Sequence, residues 1–344
     1  MSKMKALVAY GPDKLELVER DIPKPGRDQI LLKVHASGIC GTDIHVLKGD
    51  MPIDFPIILG HEFSGEVAEL GPGVNTIKPG DRVAVDPNAY CGQCSYCRGG
   101  YRYLCENLTS YGLIGADGGF AEYVVIPALC AYKIPDSMSL LEASMVEPLA
   151  CCMHGVEMAQ YKIGDAVLIH GVGAIGNLHV QLAKLSGAAT VIVSDLVASR
   201  RELALSMGAD YAIDPLSQDT YAEVFKLLPE RPRVIMDCTG YTPVIEEAVS
   251  KVRWGGRVVM FGVCPADDNI SINPAYINDR EITLCGSHDY YNVHKPAIEL
   301  ISAKRLKVDS LISHVFSLDE YEKAFAAFGT KGSMKIVIAP AGNL

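Results

Sequence analysis

Val167-Leu168-Ile169-His170-Gly171-Val172-Gly173-Ala174-Ile175-Gly176 runs a short apolar, β-branched segment straight into a G-x-G-x-x-G turn. A helix-length stretch from Ala174 to Ser186 follows, and then a second apolar run, Val191-Ile192-Val193-Ser194. Strand, glycine turn, helix and strand in that order predict a βαβ unit of a doubly wound parallel sheet. The context also predicts a dinucleotide site. Gly171 permits the tight turn, Gly173 lets the backbone approach a pyrophosphate, and Gly176 allows close helix packing. The N–H groups that open the helix, around Val172, Ala174 and Ile175, then face the phosphates. The second strand ends in Asp195, nineteen residues beyond Gly176, where a carboxylate accepts both hydroxyls of an adenosine ribose and repels a 2′-phosphate. That favours NAD over NADP, although Arg200 and Arg201 nearby could offset part of the repulsion. The plainer alternative is a glycine-rich turn beside a solvent-facing Asp.

Working outward, the same texture continues through Val234-Ile235-Met236-Asp237, Arg257-Val258-Val259-Met260-Phe261 and Ile282-Thr283-Leu284-Cys285. These are further short strands of an α/β domain. Upstream, from Met4 to about Ile134, short apolar runs such as Asp28-Gln29-Ile30-Leu31-Leu32-Lys33-Val34 and Asp81-Arg82-Val83-Ala84-Val85 are separated by Gly71-Pro72-Gly73, Lys78-Pro79-Gly80-Asp81 and Gly118-Gly119. That pattern predicts a β-rich domain. The expected division is residues 1–150 for this domain, completed by 290–344, and 151–289 for the parallel-sheet domain. In the final stretch Phe316-Ser317-Leu318-Asp319-Glu320 is expected to open a helix and Lys335-Ile336-Val337-Ile338 to form a strand.

Four cysteines, Cys91, Cys94, Cys97 and Cys105, form a C-x2-C-x2-C-x7-C run. Such intervals let one loop place four thiolates tetrahedrally about Zn²⁺ at about 2.3 Å, closing the coordination shell, so the site is structural. Disulfides across two-residue gaps would close strained rings. The chain has eleven cysteines, an odd number that suits a reducing cytoplasm better than a secreted disulfide framework. No segment reaches the ~18 apolar residues of a membrane span, and the N-terminal apolar stretch is too short for a signal peptide. With 344 residues, 49% of them hydrophobic, the chain is long enough for two domains. A net charge of −10 disfavours a nucleic-acid partner.

A second constellation lies in the β-rich part. Cys40 sits in Gly38-Ile39-Cys40-Gly41-Thr42-Asp43-Ile44-His45, His61-Glu62 follow Gly60, and Glu147 lies in Val146-Glu147-Pro148 at the junction of the two textures. A Cys, a His and one or two carboxylates leave a coordination position for water or substrate, which suits a catalytic rather than a structural metal. On spacing alone these residues also fit an ordinary core with a buried Cys and a hydrogen-bonded His.

Gly60-His61-Glu62-Phe63-Ser64-Gly65-Glu66-Val67, the Cys40 loop, the four-cysteine run, Glu147-Pro148-Leu149 and the glycine turn occur in the order typical of zinc-dependent medium-chain dehydrogenases, which this chain resembles along essentially its whole length. Within that family it is most similar to the polyol (sorbitol) and threonine dehydrogenase branch. The resemblance implies a GroES-like catalytic domain beside a Rossmann domain. It also implies a catalytic zinc held by Cys40, His61 and either Glu62 or Glu147, and hydride transfer from a secondary alcohol to NAD. Thr42 and His45 would relay the substrate proton, Arg200 would help hold the adenosine ribose, and Phe261, Gly262, Val263, His288, Asp289 and Tyr290 would line the nicotinamide end. A homotetramer is implied, with a dimer as the alternative.

Two departures bear on substrate. Sorbitol dehydrogenases typically carry an aromatic residue after the histidine matching His45 and an arginine matching position 289, where this chain has Val46 and Asp289. An acid facing the site would disfavour phosphorylated or carboxylated substrates. Neutral polyols or diols are therefore the expected substrates, with L-threonine or a polyol phosphate as alternatives.

Overall fold

The computed structural model describes residues 2–342. The chain forms two compact units, one comprising the segment up to Ala150 together with the return from Tyr291, the other Cys151–Tyr290.

In the Cys151–Tyr290 unit, six parallel strands stand in the order Tyr211–Ile213, Thr190–Ser194, Ala166–His170, Val234–Asp237, Arg257–Met260 and Thr283–Gly286. The sequence order reverses at Ala166–His170, which pairs with both Thr190–Ser194 and Val234–Asp237. Val234–Asp237 is buried at every position and Ala166–His170 at all but its first. Helices cover both faces of such a sheet, so its strands read as continuous apolar runs instead of alternating ones. Leu168, Ile192, Ile235 and Val258 join Ala248, Val249 and Val252 of the neighbouring helical segment in one core cluster.

The other unit is organised by one long strand, Gln29–Ile39. Along one edge it pairs antiparallel with Glu62–Leu70. Along the other it pairs first with Tyr123–Pro127 and then with Lys335–Ala339. The return segment thus places its last strand against the end of the strand that leads into Cys40. Ahead of it, Phe316 and Ser317 close the strand Ile312–Ser317, and the helix expected there begins later, with a 3-10 turn at Leu318–Glu320 and an α-helix at Tyr321–Ala327. Ser317 and Glu320 form a capping box that sets this start.

Among the described residues no helix is long and apolar enough to cross a membrane. Leu168 is fully buried in the parallel-sheet core. Leu168→Ala should therefore cost about 2–5 kcal/mol; a denaturant midpoint shifted clearly downward, with an unchanged far-ultraviolet dichroism spectrum, is the expected result.

Candidate active site and metal centres

The register of the long strand assembles the first site. Gly38 is paired with Glu62 and Ile39 with Ile336, which brings Cys40, the His61-Glu62 step and Lys335 to one end of the sheet. One donor atom each from Cys40, His61 and Glu62 lie within 4.8 Å of one another. Glycine at 38 is required, because a Cβ there would stand 2.1 Å from Glu62 Oε2. Cys40 is the N-cap of the helix Gly41–Lys48, and the buried Asp43 accepts the Cys40 N–H at 2.8 Å. The other Asp43 oxygen stands 3.6 Å from His61 Nδ1. One carboxylate therefore anchors the Cys40 loop by a hydrogen bond and stands beside the His61 ring as a charged neighbour, the place where a metal-ligating histidine finds outer support. Burial opposes protonation of His61, but the charges of Asp43 and Cys40 outweigh it and hold its pKa well above the ordinary value.

Lys335 is buried against the same group. Its Nζ donates to both oxygens of Glu62 at 2.7 and 2.6 Å, and to the Ile39 carbonyl at 3.4 Å. Burial works against its charge, yet Glu62, Cys40 and Glu147 together raise its pKa. Glu147, buried in the first turn of the helix Val146–Ala159, is outside the tight donor group but within electrostatic reach of it. Thr42 Oγ1 accepts from Cys40 Sγ at 3.5 Å. Thr42 and His45 are three residues apart in one helix, so they share a face.

Cys91, Cys94, Cys97 and Cys105 form the second donor group. All eleven cysteines are unbridged. The Cys91 and Cys97 sulfurs lie 3.9 Å apart, close to the edge of about 3.8 Å expected of a tetrahedron with ~2.3 Å metal–sulfur bonds. The N–H groups of Gln93 and Cys94 point at Cys91 Sγ, and that of Cys97 at Cys94 Sγ, each at 3.4 Å. These N–H bonds bring the Cys91 thiol down to about 6, while burial pushes Cys97 up to about 12. Four convergent sulfurs with N–H support fit a zinc ion and leave no position for substrate.

The glycine turn has the dimensions a dinucleotide needs. Gly171 has φ +80°, a Cβ on Gly176 would stand 2.0 Å from the Gly171 carbonyl oxygen, and a Cβ on Gly173 would meet nothing within 4 Å. Gly173 is also the N-cap of the helix Ala174–Leu185 and has no side chain to cap it. The turn thus offers unobstructed backbone to an anion. Asp195 is held in place through both oxygens, Oδ2 accepting the Val172 N–H and Oδ1 the Val197 N–H, each at 2.8 Å. Arg201 is tied to the Asp195 carbonyl at 2.6 Å and to Asp214 at 3.0 Å.

One expectation needs correction. The Tyr290 ring, expected to line the nicotinamide end, is completely buried and presents no surface. Asp289 has a left-handed backbone (φ 55°) and its Oδ1 accepts the Tyr290 N–H at 2.9 Å. Val46 is buried in the hydrophobic core of its unit, so its identity reports packing. Phe261 packs edge-on against the buried His179, and Val263 and His288 are exposed. The sequence reading had no role for Lys335 or Asp43. Asp43 carried a signal, the N-cap-x-x-acid spacing from Cys40; Lys335, a lone cation at the head of an apolar strand, becomes visible only through strand pairing.

Comparison with known proteins follows the same division. Residues 26–136 match the alcohol dehydrogenase GroES-like domain and residues 174–303 the zinc-binding dehydrogenase domain. The chain is 36% identical to sorbitol dehydrogenase of Gallus gallus, over 94% of this chain and 92% of that protein. It is 37% identical to L-threonine 3-dehydrogenase of Pyrococcus abyssi over 97% of each. Among solved structures, a zinc-binding dehydrogenase of Sinorhizobium meliloti 1021 bound to NADP superposes with a TM-score of 0.95 at 39% identity, covering 99% of this chain and 100% of that one. The two units, their donor groups and these relatives place the chain in the zinc-dependent medium-chain dehydrogenase family, in its polyol and threonine dehydrogenase branch.

Proposed function

We propose that the protein oxidises a secondary alcohol of a neutral polyol or diol, with NAD as hydride acceptor. The observation that carries this reading is the mixed donor group of Cys40, His61 and Glu62 with the Thr42 hydroxyl beside it. A zinc ion held there would supply Lewis acidity toward the substrate hydroxyl, and NAD held at the glycine turn would supply the hydride acceptor. The chain's own residues do the rest. Cys40 and His61 would hold the metal, with Glu62 or Glu147 completing its shell. Because Lys335 engages both Glu62 oxygens, a Glu62 turned toward a metal would share its charge with that cation. Thr42 takes the proton leaving the substrate hydroxyl and His45 passes it toward solvent.

For the cofactor, the carboxylate of Asp195, fixed by two main-chain N–H groups, is set to accept ribose hydroxyls and to repel a 2′-phosphate. Arg200, Phe261, Gly262, Val263 and His288 remain candidates for cofactor contacts. The eleven free thiols suit a cytoplasmic setting, and a homotetramer is preferred to a dimer on the family's pattern.

Three measurements test this. A substrate panel followed by absorbance of the reduced cofactor should show turnover of polyols or vicinal diols; turnover of L-threonine alone would move the assignment to the threonine branch. Elemental analysis should find about two zinc ions per chain. Cys40→Ser should lose one of them together with activity, and Cys97→Ser the other together with thermal stability. With the preferred alcohol, kcat/KM should favour NAD⁺ over NADP⁺, and Asp195→Ser should narrow that preference at least about tenfold, the worth of ~1.4 kcal/mol.

A further inference from the structure

The end of the Gly41–Lys48 helix has a feature the proton relay does not account for. Gly49 closes the helix in the left-handed region (φ 82°), and its N–H donates to the Val46 carbonyl at 3.1 Å. The Asp50 N–H then donates back to the His45 carbonyl at 2.9 Å, and that of Met51 to the same oxygen at 3.3 Å. This is the Schellman pattern, which folds the chain over the turn it has just left. The loop is tied down further by the Asp13 N–H on the Leu47 carbonyl at 2.7 Å. Asp50 Oδ2 thereby stands 3.2 Å from His45 Nδ1. The two side chains are 26% and 43% exposed for His45 and Asp50, so the pair is wet and contributes little to stability. Its main-chain anchorage nevertheless fixes where the carboxylate sits.

We propose that Asp50 is a positioning residue for His45: its carboxylate keeps the ring proton on Nδ1 and leaves the Nε2 lone pair as the base that ends the proton relay. A carboxylate only accepts hydrogen bonds, so a neutral imidazole facing it through Nδ1 must carry its single N–H there. When Nε2 takes the proton delivered through Thr42, the ring becomes imidazolium, with Asp50 opposite its positive charge. Release of that proton from Nε2 to solvent restores the starting tautomer, so the proton balance closes without another group. The inference rests on the relay role of His45 stated above.

The test uses the full zinc-loaded chain and four variants: Asp50→Ala, Asp50→Asn, His45→Gln and the double variant His45→Gln/Asp50→Ala. Long-range proton–nitrogen spectra of the histidine rings, with His45 assigned from His45→Gln, read the tautomer without reference to activity. The Nδ1–H form is expected in the wild type and in Asp50→Asn, which retains an acceptor, and should lose its dominance in Asp50→Ala. In steady state Asp50→Ala should lower kcat about tenfold, a fraction of what general acid–base catalysis supplies. KM for the alcohol and for NAD⁺ and the thermal midpoint should be unchanged. Asp50→Asn should recover most of the rate, and the double variant should be no slower than His45→Gln. An impaired His45→Gln beside a wild-type Asp50→Ala, additive losses in the double variant, or an unchanged tautomer in Asp50→Ala each overturns the role of Asp50 alone. Wild-type kcat in His45→Gln removes the relay reading itself and the role of Asp50 with it.

Discussion

The ion pair between Lys335 and Glu62 is the interaction on which the catalytic unit depends. Both groups are almost wholly buried, at 5% and 2% exposure, and a charge taken out of water costs several kcal/mol unless a partner compensates it. Their partnership spans 273 residues of sequence. Glu62 is therefore a satisfied buried carboxylate only when the last strand of the chain has docked beside Ile39 in the observed register. A one-residue slip would turn Lys335 to the opposite face and leave two unpaired charges inside. The return segment therefore both closes the sheet beside Ile39 and fixes the carboxylate of the donor group next to Cys40.

The two donor groups in that unit divide metal chemistry between them by ligand type. The cysteine loop offers four identical soft donors on one short segment, aided by main-chain N–H groups, and so closes its shell from local sequence alone. The other group draws donors of three types from separate segments, and its carboxylate is shared with a lysine. A shell assembled that way has a member that can be competed for, the condition for admitting a substrate oxygen. The dinucleotide turn follows a third logic: what matters at Gly173 is the side chain that is absent, since the space its Cβ would enter is open for a phosphate.

What could be read from the sequence follows how local each feature is. Five of the six parallel strands and the glycine turn were legible, because burial on both faces produces continuous apolar runs and the turn's steric requirement leaves glycine little competition. The cysteine loop was legible for the same reason. The sixth strand, the three-residue edge strand Tyr211–Ile213, is exposed at its first position and carries no such run. Glu147 was harder to place, since a helix-borne carboxylate at a junction has no spacing relation to Cys40 or His61. Lys335 was invisible, because its partner is set by strand register. Tyr290 misled: position in the chain suggested a lining role, while the fold turned its ring inward.

The eight-residue helix after Cys40 shows how much one short element can sort by angle alone. Cys40 caps its start and points its sulfur at the metal group. Asp43 and Val46, three apart, share the inward face, the first bracing Cys40 and His61 and the second filling the core. Thr42 and His45, also three apart, share the adjacent, partly exposed face. A rotation of one residue, about 100°, would exchange the bracing carboxylate for the relay hydroxyl and drive His45 into the core. The rotation is fixed at both ends, by the Asp43 capping contact and by the left-handed Gly49 closure, and the second of these also carries Asp50 back to His45. The caps of this helix thus set which of its residues turn inward and which stay on the partly exposed face, and the proposed roles of Thr42, His45 and Asp50 rest on that setting.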